Sequence, residues 1–377
     1  REDPVHLAKN TPYGDYWSIT RYDDIKYVDT ANEIFSSAAE LGGIVIADEI
    51  FNADSDFQIV NFIGMDNPRH QDQRLAVQKI AASPSLKSFE DLIRERTCMV
   101  LDDLPVGEEF DWVEHVSIKL TTMMLATLFD FPFEDRAKLT RWSDVATAEE
   151  GSPLVESQEQ RIAELIDCLN YFTELWNQRV NEPPRTDLVS MLAHSPATRN
   201  ATPLEYLGNL LLLIVGGNDT TRNTMSATIR CMNMFPEEAE KVRKDPGLID
   251  AMVAEVIRWQ TPLSHMRRTA LVDTELGGKQ IKKGDKVVMW YYSGNHEAET
   301  FPDPDQIKIG RENVRQHLSF GFGIHRCMGL RLAEQQLRIL WQELLKRWDR
   351  IEMIGEPEIV ESNFVNGYSK MMVRIPG

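Results

Sequence analysis

The sequence is short of cysteine, of cationic charge and of long apolar runs, and each shortage removes a class of protein. Its four cysteines, Cys98, Cys168, Cys231 and Cys327, lie far apart, with no Cys-x-x-Cys pair and no histidine cluster at zinc spacing. Isolated thiols in a reducing, cytoplasmic setting are therefore expected, rather than a disulfide framework or a structural zinc. Lys and Arg number 41 against 59 Asp and Glu, a formal net charge of −18. That balance argues against a nucleic-acid partner, whose phosphates demand neutralising cations, although a local basic patch is still allowed. The longest apolar stretch, around Leu210 to Val215, is far below the ~20 residues needed to cross a bilayer. No Gly/Ser-rich linker, internal repeat or shift of composition interrupts the 377 residues, so 1–377 reads as a single domain. The opening Arg1-Glu2-Asp3-Pro4 lacks both an apolar signal segment and an initiator Met, which reads as a trimmed start.

What is present is a globular composition, 42% hydrophobic and 27% charged, sufficient for a core that can enclose a large cofactor. Tyr16-Trp17-Ser18-Ile19-Thr20 is aromatic and β-branched and predicts a strand. From Phe89 to Met234 apolar residues recur at three- and four-residue spacing, clearest over Ile162–Leu175 and Leu204–Met232, which predicts helices. Gly151-Ser152-Pro153 and Pro183-Pro184 mark connections between them. Leu271 to Trp290, with Gly277-Gly278 and Lys283-Gly284 between β-type runs, predicts hairpins. Phe301 to Phe322 shows no period, and a loop of that length is usually functional. The fold class is therefore mainly α with small peripheral β-sheets.

The segment Phe320-Gly321-Phe322-Gly323-Ile324-His325-Arg326-Cys327-Met328-Gly329 precedes a helical pattern from Leu330 to Leu345. A cysteine just before a helix start is placed where backbone amides and the helix dipole favour a thiolate and lower its pKa. Gly323 and Gly329 would permit tight turns and close approach to a flat ligand. Alone, Cys327 would be one more buried thiol. Its surroundings change that, because the segment resembles the haem-binding signature of the cytochrome P450 family, Phe-x-x-Gly-x-His/Arg-x-Cys-x-Gly, at every fixed position.

The resemblance covers nearly the whole chain and implies the P450 fold, with haem b buried between a long central helix and the Cys327 loop and helix. It departs at the front, where the family's leading helix is missing or truncated. Cys327 is then the iron ligand, with Phe320, Gly321 and Gly329 against the haem. A thiolate ligand favours O–O cleavage. Glu255 and Arg258 share a helix face, and the resemblance makes them a buried brace with Arg311 rather than a solvated pair. Gly216-Gly217-Asn218-Asp219-Thr220-Thr221 places two glycines inside an apolar helix, at a cost of ~1 kcal/mol each relative to Ala. In the family the helix loosens there beside the distal face. Thr220 corresponds to the hydroxyl that hydrogen-bonds dioxygen, and Asp219 to the acid that relays protons. His70, Arg74, Arg268, His317 and His325 are the expected partners of the haem propionates.

A closer resemblance is to the bacterial terminal alkane hydroxylases of this family, carried by Gly216 to Asn223, Thr261 to Ala270 and His317 to Cys327. It implies a monooxygenase acting on linear apolar substrates, medium-chain alkanes or fatty acids, at the terminal methyl. The lining it implies is Leu212, Val215 and Gly216, then Leu263 and Met266, then Phe364 and Val365, with Ile44, Val45 and Ile46 in a covering loop. No flavin, nicotinamide or iron–sulfur motif is present, so electrons are expected from a ferredoxin and its reductase. Arg326, with cations such as Arg69, would face that acidic partner. The rival readings are a haem-thiolate sensor without turnover, a peroxide-driven peroxygenase, whose relatives replace the acid and alcohol by Arg and Pro, and a monooxygenase of terpenoid or cyclic substrates.

Overall fold

The strongest helical pattern, Leu204 to Met232, begins behind a good stop-and-start signal. Thr202 caps it by accepting from the Glu205 amide at 3.2 Å, and Pro203 occupies its first turn, where a missing N–H costs nothing. The computed structural model describes residues 2–47, 59–148, 151–152 and 154–377. In chain order its helices are α1 (Tyr22–Thr30), α2 (Arg69–Val77), α3 (Ser83–Asp102), α4 (Lys119–Phe129), α5 (Ala137–Thr147), α6 (Gln158–Arg179), α7 (Leu188–His194), α8 (Pro203–Met234), α9 (Pro236–Lys244), α10 (Ile249–Gln260), α11 (Tyr291–Asn295) and α12 (Leu330–Arg347). The break at Pro183-Pro184 falls between α6 and α7. Gly151-Ser152 falls between α5 and α6, while Pro153 lies outside the described residues.

The strands are β1 (Val5–Thr11), β2 (Gly14–Ile19), β3 (Phe35–Ser36), β4 (Glu109–Asp111), β5 (Met266–Ala270), β6 (Thr274–Leu276), β7 (Lys279–Ile281) and β8 (Lys286–Met289), followed by short C-terminal strands. Gly277 and Gly278, at φ 56° and 75°, turn the expected β6–β7 hairpin. The strand around Val287 does more than close a hairpin. It sits third in a five-stranded sheet ordered β1-β2-β8-β5-β3, parallel to β2 and antiparallel to β5. All four of its residues are buried, which explains its continuous apolar run.

Three apolar clusters surround the site. One joins α4, α5, α6 and α8 through Phe129, Trp142 and Phe172. A second packs α3, α10 and α12 through Leu101, Met252 and Leu340, and a third lies under the sheet. Phe301 to Phe322 is irregular apart from single turns at Val314–Gln316 and Leu318–Phe320.

That irregular segment is held by one ionic cluster. Arg258 donates to both carboxylate oxygens of Glu255 at 2.9 Å, and Arg311 Nε reaches both at 3.2 Å. Glu255 and Arg258 are completely buried. The remaining guanidinium donors go to the carbonyls of Asn295, Pro302, Asp303, Pro304 and Gln306. A buried carboxylate between two guanidiniums ties α10 to the segment that leads into the Cys327 loop, and the surface-pair alternative is ruled out. Removing one charge strands the others in a dry interior. Glu255→Gln is expected to lose about 3–5 kcal/mol of stability, read as a large drop in melting temperature and in the yield of folded protein. A variant that melts within 2–3 °C of the parent would contradict this.

Candidate haem-thiolate active site

The loop before α12 closes on itself, the Cys327 amide donating to the Phe320 carbonyl at 2.8 Å. Gly321 and Gly323 take φ of 64° and 65°, a region that disfavours any side chain. A Cβ on Gly323 would also lie 2.5 Å from the Asp29 carbonyl oxygen. Gly329 differs from expectation: its φ is −83°, which any residue adopts. There the lack of a side chain matters because the position borders the cavity, with no atom within 4 Å of where a Cβ would be.

Cys327 has accessible surface, and that surface faces an interior cavity of about 590 Å³ rather than bulk water. Burial pushes its thiol pKa up, against the amides of Gly329 and Leu330 and the charges of Arg74 and Arg326. The expected lowering is thus reversed, because desolvation of the anion outweighs the helix-start amides. A metal cation bound at the sulfur would supply the missing charge.

Opposite the thiol runs α8. It is continuous from Pro203 to Met234, so the loosening expected at Gly216–Thr221 is absent: the Thr220 hydroxyl bonds back to the Gly216 carbonyl at 3.0 Å within an intact helix. Asp219 is 2% exposed. Its Oδ1 meets Arg222 Nη2 at 2.9 Å, Asn218 Nδ2 at 3.1 Å and the Ser143 hydroxyl at 3.3 Å. Burial raises its pKa despite the Arg222 charge. Arg222 continues to Asp144 on α5 at 3.1 Å, whose side chain is 25% exposed. A chain of ionisable groups thus leads from the buried acid towards solvent.

A third wall is cationic. Neither ring nitrogen of His70 or of His325 has a hydrogen-bond partner among the described residues, and the two rings are 4.2 Å apart. Burial, with the Arg74 charge behind it, lowers the His70 pKa to about 4. Buried polar atoms left this way are costly and rare. Arg74 donates to the Arg326 carbonyl at 2.6 Å, and Arg268 to Asp29 at 2.7 Å. All four side chains line the cavity. A flat macrocycle bearing two carboxylates and a metal fits this donor set: one thiol, two unpartnered imidazoles beside two guanidiniums, and otherwise mostly apolar walls.

His317 does not belong to that set. It packs against the Phe320 ring at 5.2 Å, buried and outside the cavity lining, because the turn at Leu318–Phe320 directs it into the interior instead. Val45 and Ile46 are likewise absent from the lining, whereas Ile44, Leu212, Val215, Gly216, Leu263, Met266, Phe364 and Val365 are present, as are Phe320 and Gly321.

Sequence reasoning missed Asp29. It is 3% exposed and accepts from Arg268, from the Tyr291 hydroxyl at 3.0 Å and from the Phe322 amide at 2.6 Å. It joins α1, β5, α11 and the Cys327 loop. No local signal distinguishes it from Asp23 and Asp24 on the same helix, since only tertiary packing buries it.

A family profile described as Cytochrome P450 matches residues 152–373, and the linalool 8-monooxygenase of Pseudomonas putida is 35% identical over 99% of this chain and 93% of its own length. The chain belongs to the cytochrome P450 family. A P450-153 structure from Novosphingobium aromaticivorans superposes with a TM-score of 0.92 at 46% identity, covering 99% of this chain and 93% of that one. CYP153D17 from Sphingomonas sp. PAMC 26605 gives 0.92 at 47%, with the same coverage. The chain is a P450 monooxygenase with haem b as cofactor, and among its described residues no helix is long and apolar enough to cross a membrane.

His317 carries a pH prediction. Burial first, then the charges of Arg258, Arg315 and Arg326, lower its pKa from 6.5 to about 3. The unfolded chain therefore binds this proton more readily than the folded one, and the stability from the neutral ring, full above the unfolded value, is lost as pH falls from about 6.5 towards 3. At pH 5 the loss is about 2 kcal/mol. His317→Gln should show a smaller fall in melting temperature between pH 7 and pH 5 than the parent, and equal falls would contradict the assignment.

Proposed function

We propose that this P450 hydroxylates linear apolar molecules, medium-chain alkanes or fatty acids, at the terminal methyl, with electrons from a ferredoxin and its reductase in the cytoplasm. The observation that carries the reading is the apolar lining that meets both the thiol and the Asp219–Thr220 pair: Leu212 and Val215 from α8, Leu263 before β5 and Met266 at its start, and Phe364 and Val365 near the C-terminus. An eight-carbon chain buried there gains roughly 6 kcal/mol before ordering costs, at about 0.8 kcal/mol per CH₂. The resemblance of the sequence to the terminal alkane hydroxylases points the same way.

Haem, when bound through Cys327, supplies the iron at which dioxygen is reduced and split. His70, Arg74, Arg268 and His325 would hold its carboxylates by charge-assisted bonds. The Thr220 hydroxyl, whose proton rests on the Gly216 carbonyl at 3.0 Å, would accept at the distal wall, and Asp219 Oδ1 would receive protons from the Arg222–Asp144 side and pass them inward. An intact acid–alcohol pair supports turnover over a sensor. The apolar walls exclude water and orient the chain, and orientation must dominate, because a terminal methyl C–H bond is stronger than the neighbouring methylene bond. Arg326 is exposed beside the thiol and suits an acidic redox partner. Arg69 contributes less than expected, since its charge is offset by Glu205 at 2.9 Å. A second substrate class, open-chain terpenoids, is favoured by the relative named for linalool.

The test is product analysis with n-octane, a surrogate ferredoxin and its reductase. Mainly 1-octanol is expected, with Asp219→Asn lowering the rate of alcohol formation on the order of 10²-fold. Mainly internal octanols would overturn the terminal reading, and an unchanged turnover rate in Asp219→Asn would overturn the relay.

A further inference from the structure

β5 works on both of its faces, as the two-residue period of a strand allows. Met266 and Arg268 point into the cavity. The alternate set, His265, Arg267 and Thr269, reaches the segment from Leu41 to Ile46. Arg267 donates its amide to the Ile44 carbonyl at 2.8 Å and its guanidinium to the Leu41 carbonyl at 3.3 Å. The Thr269 hydroxyl shares that carbonyl at 2.8 Å. From β8, Lys286 Nζ reaches the Ile46 carbonyl at 3.2 Å.

His265 is the member that crosses to a third segment. It is fully buried. Its Nε2 accepts from the Ile46 amide at 3.0 Å, and its Nδ1 donates to the Asn363 carbonyl at 3.2 Å. Its ring lies 5.1 Å from Trp290 and 5.3 Å from Phe364. Both bonds require a neutral ring with the proton on Nδ1, and burial lowers its pKa to about 4. Ile44 belongs to the first segment it ties, Met266 to its own, and Phe364 and Val365 to the third; all four line the cavity.

We propose that His265 is a positioning residue for substrate selectivity: by clasping the Ile46 amide to the Asn363 carbonyl it holds three lining segments at one spacing and so sets the width of the cavity. This rests on the reading that the cavity receives the substrate. His265 itself lies outside the cavity lining.

The test compares His265→Leu, which removes both bonds, with His265→Gln, which keeps one acceptor and one donor. The haem-loaded proteins are compared by hydrogen exchange of residues 41–47 and by spectral titration with imidazole and the bulkier 4-phenylimidazole. In His265→Leu, exchange of 41–47 should rise on the order of fivefold to tenfold, the scale of one lost hydrogen bond. The bulkier azole should gain affinity relative to imidazole by a similar factor, and His265→Gln should restore most of both. Unchanged exchange and unchanged azole preference in His265→Leu would overturn the clasp. So would a rise in exchange spread evenly over the protein, which marks a merely structural role. Should His265→Leu not fold, Ile46→Pro removes the amide donor from the other side and must reproduce the two local effects. If octane is refused while the azole and exchange pattern holds, the hydrocarbon reading fails and the clasp stands.

Discussion

A buried sulfur that must serve as an anionic ligand is the constraint on which the rest of this structure depends. Burial alone drives Cys327 towards the neutral thiol, and the amides of Gly329 and Leu330 with Arg74 and Arg326 offset only part of that cost. The fold therefore has to supply a cavity that admits a metal cofactor, and a loop rigid enough to present sulfur to it. Rigidity comes from two buried carboxylates. Glu255 gathers Arg258 and Arg311 beneath the segment leading into the loop, and Asp29 gathers Arg268, Tyr291 and the Phe322 amide against its flank. Each is a charge that the interior tolerates because several donors meet it at once.

The site divides chemically by element. The loop before α12 carries the thiol and His325, α2 and β5 carry the other groups suited to carboxylates, and α8 carries the acid and the alcohol. Leu212 and Val215 on that same helix face the apolar end of the cavity. A single uninterrupted helix thus sets the distance between the proton-handling groups and the walls that orient a substrate. That arrangement reconciles an acidic chain of net charge −18 with a cationic inner wall.

Much of this was legible in sequence, for reasons that differ by residue. Cys327 was readable only because its surroundings match the family signature at every fixed position, since a lone cysteine before a helix would be one more buried thiol; of the turn glycines Gly323 was placed correctly, while Gly321 rather than Gly329 takes the other left-handed turn. Asp219 and Thr220 were readable because polar residues and paired glycines inside an apolar helix carry a local cost without a local benefit. Glu255 and Arg258 were ambiguous, since i,i+3 spacing is the same for a surface pair and a buried brace, and only the resemblance separated them. Asp29, Tyr291 and His265 were not readable. Their roles arise where segments far apart in the chain meet, and neither period nor spacing reports such contacts. His317, Val45 and Ile46 were misplaced for the same reason: adjacency in sequence to lining residues does not decide which way a side chain points in a turn.

Sulfur ligation by Cys327 is tested most directly by the absorption spectrum of the reduced carbonyl complex. Purified haem-loaded protein is predicted to show the thiolate-type band, and Cys327→Ser to lose it while the helical content is kept. An imidazole-type spectrum in the unmodified protein, or a thiolate-type band that survives in Cys327→Ser, would contradict it.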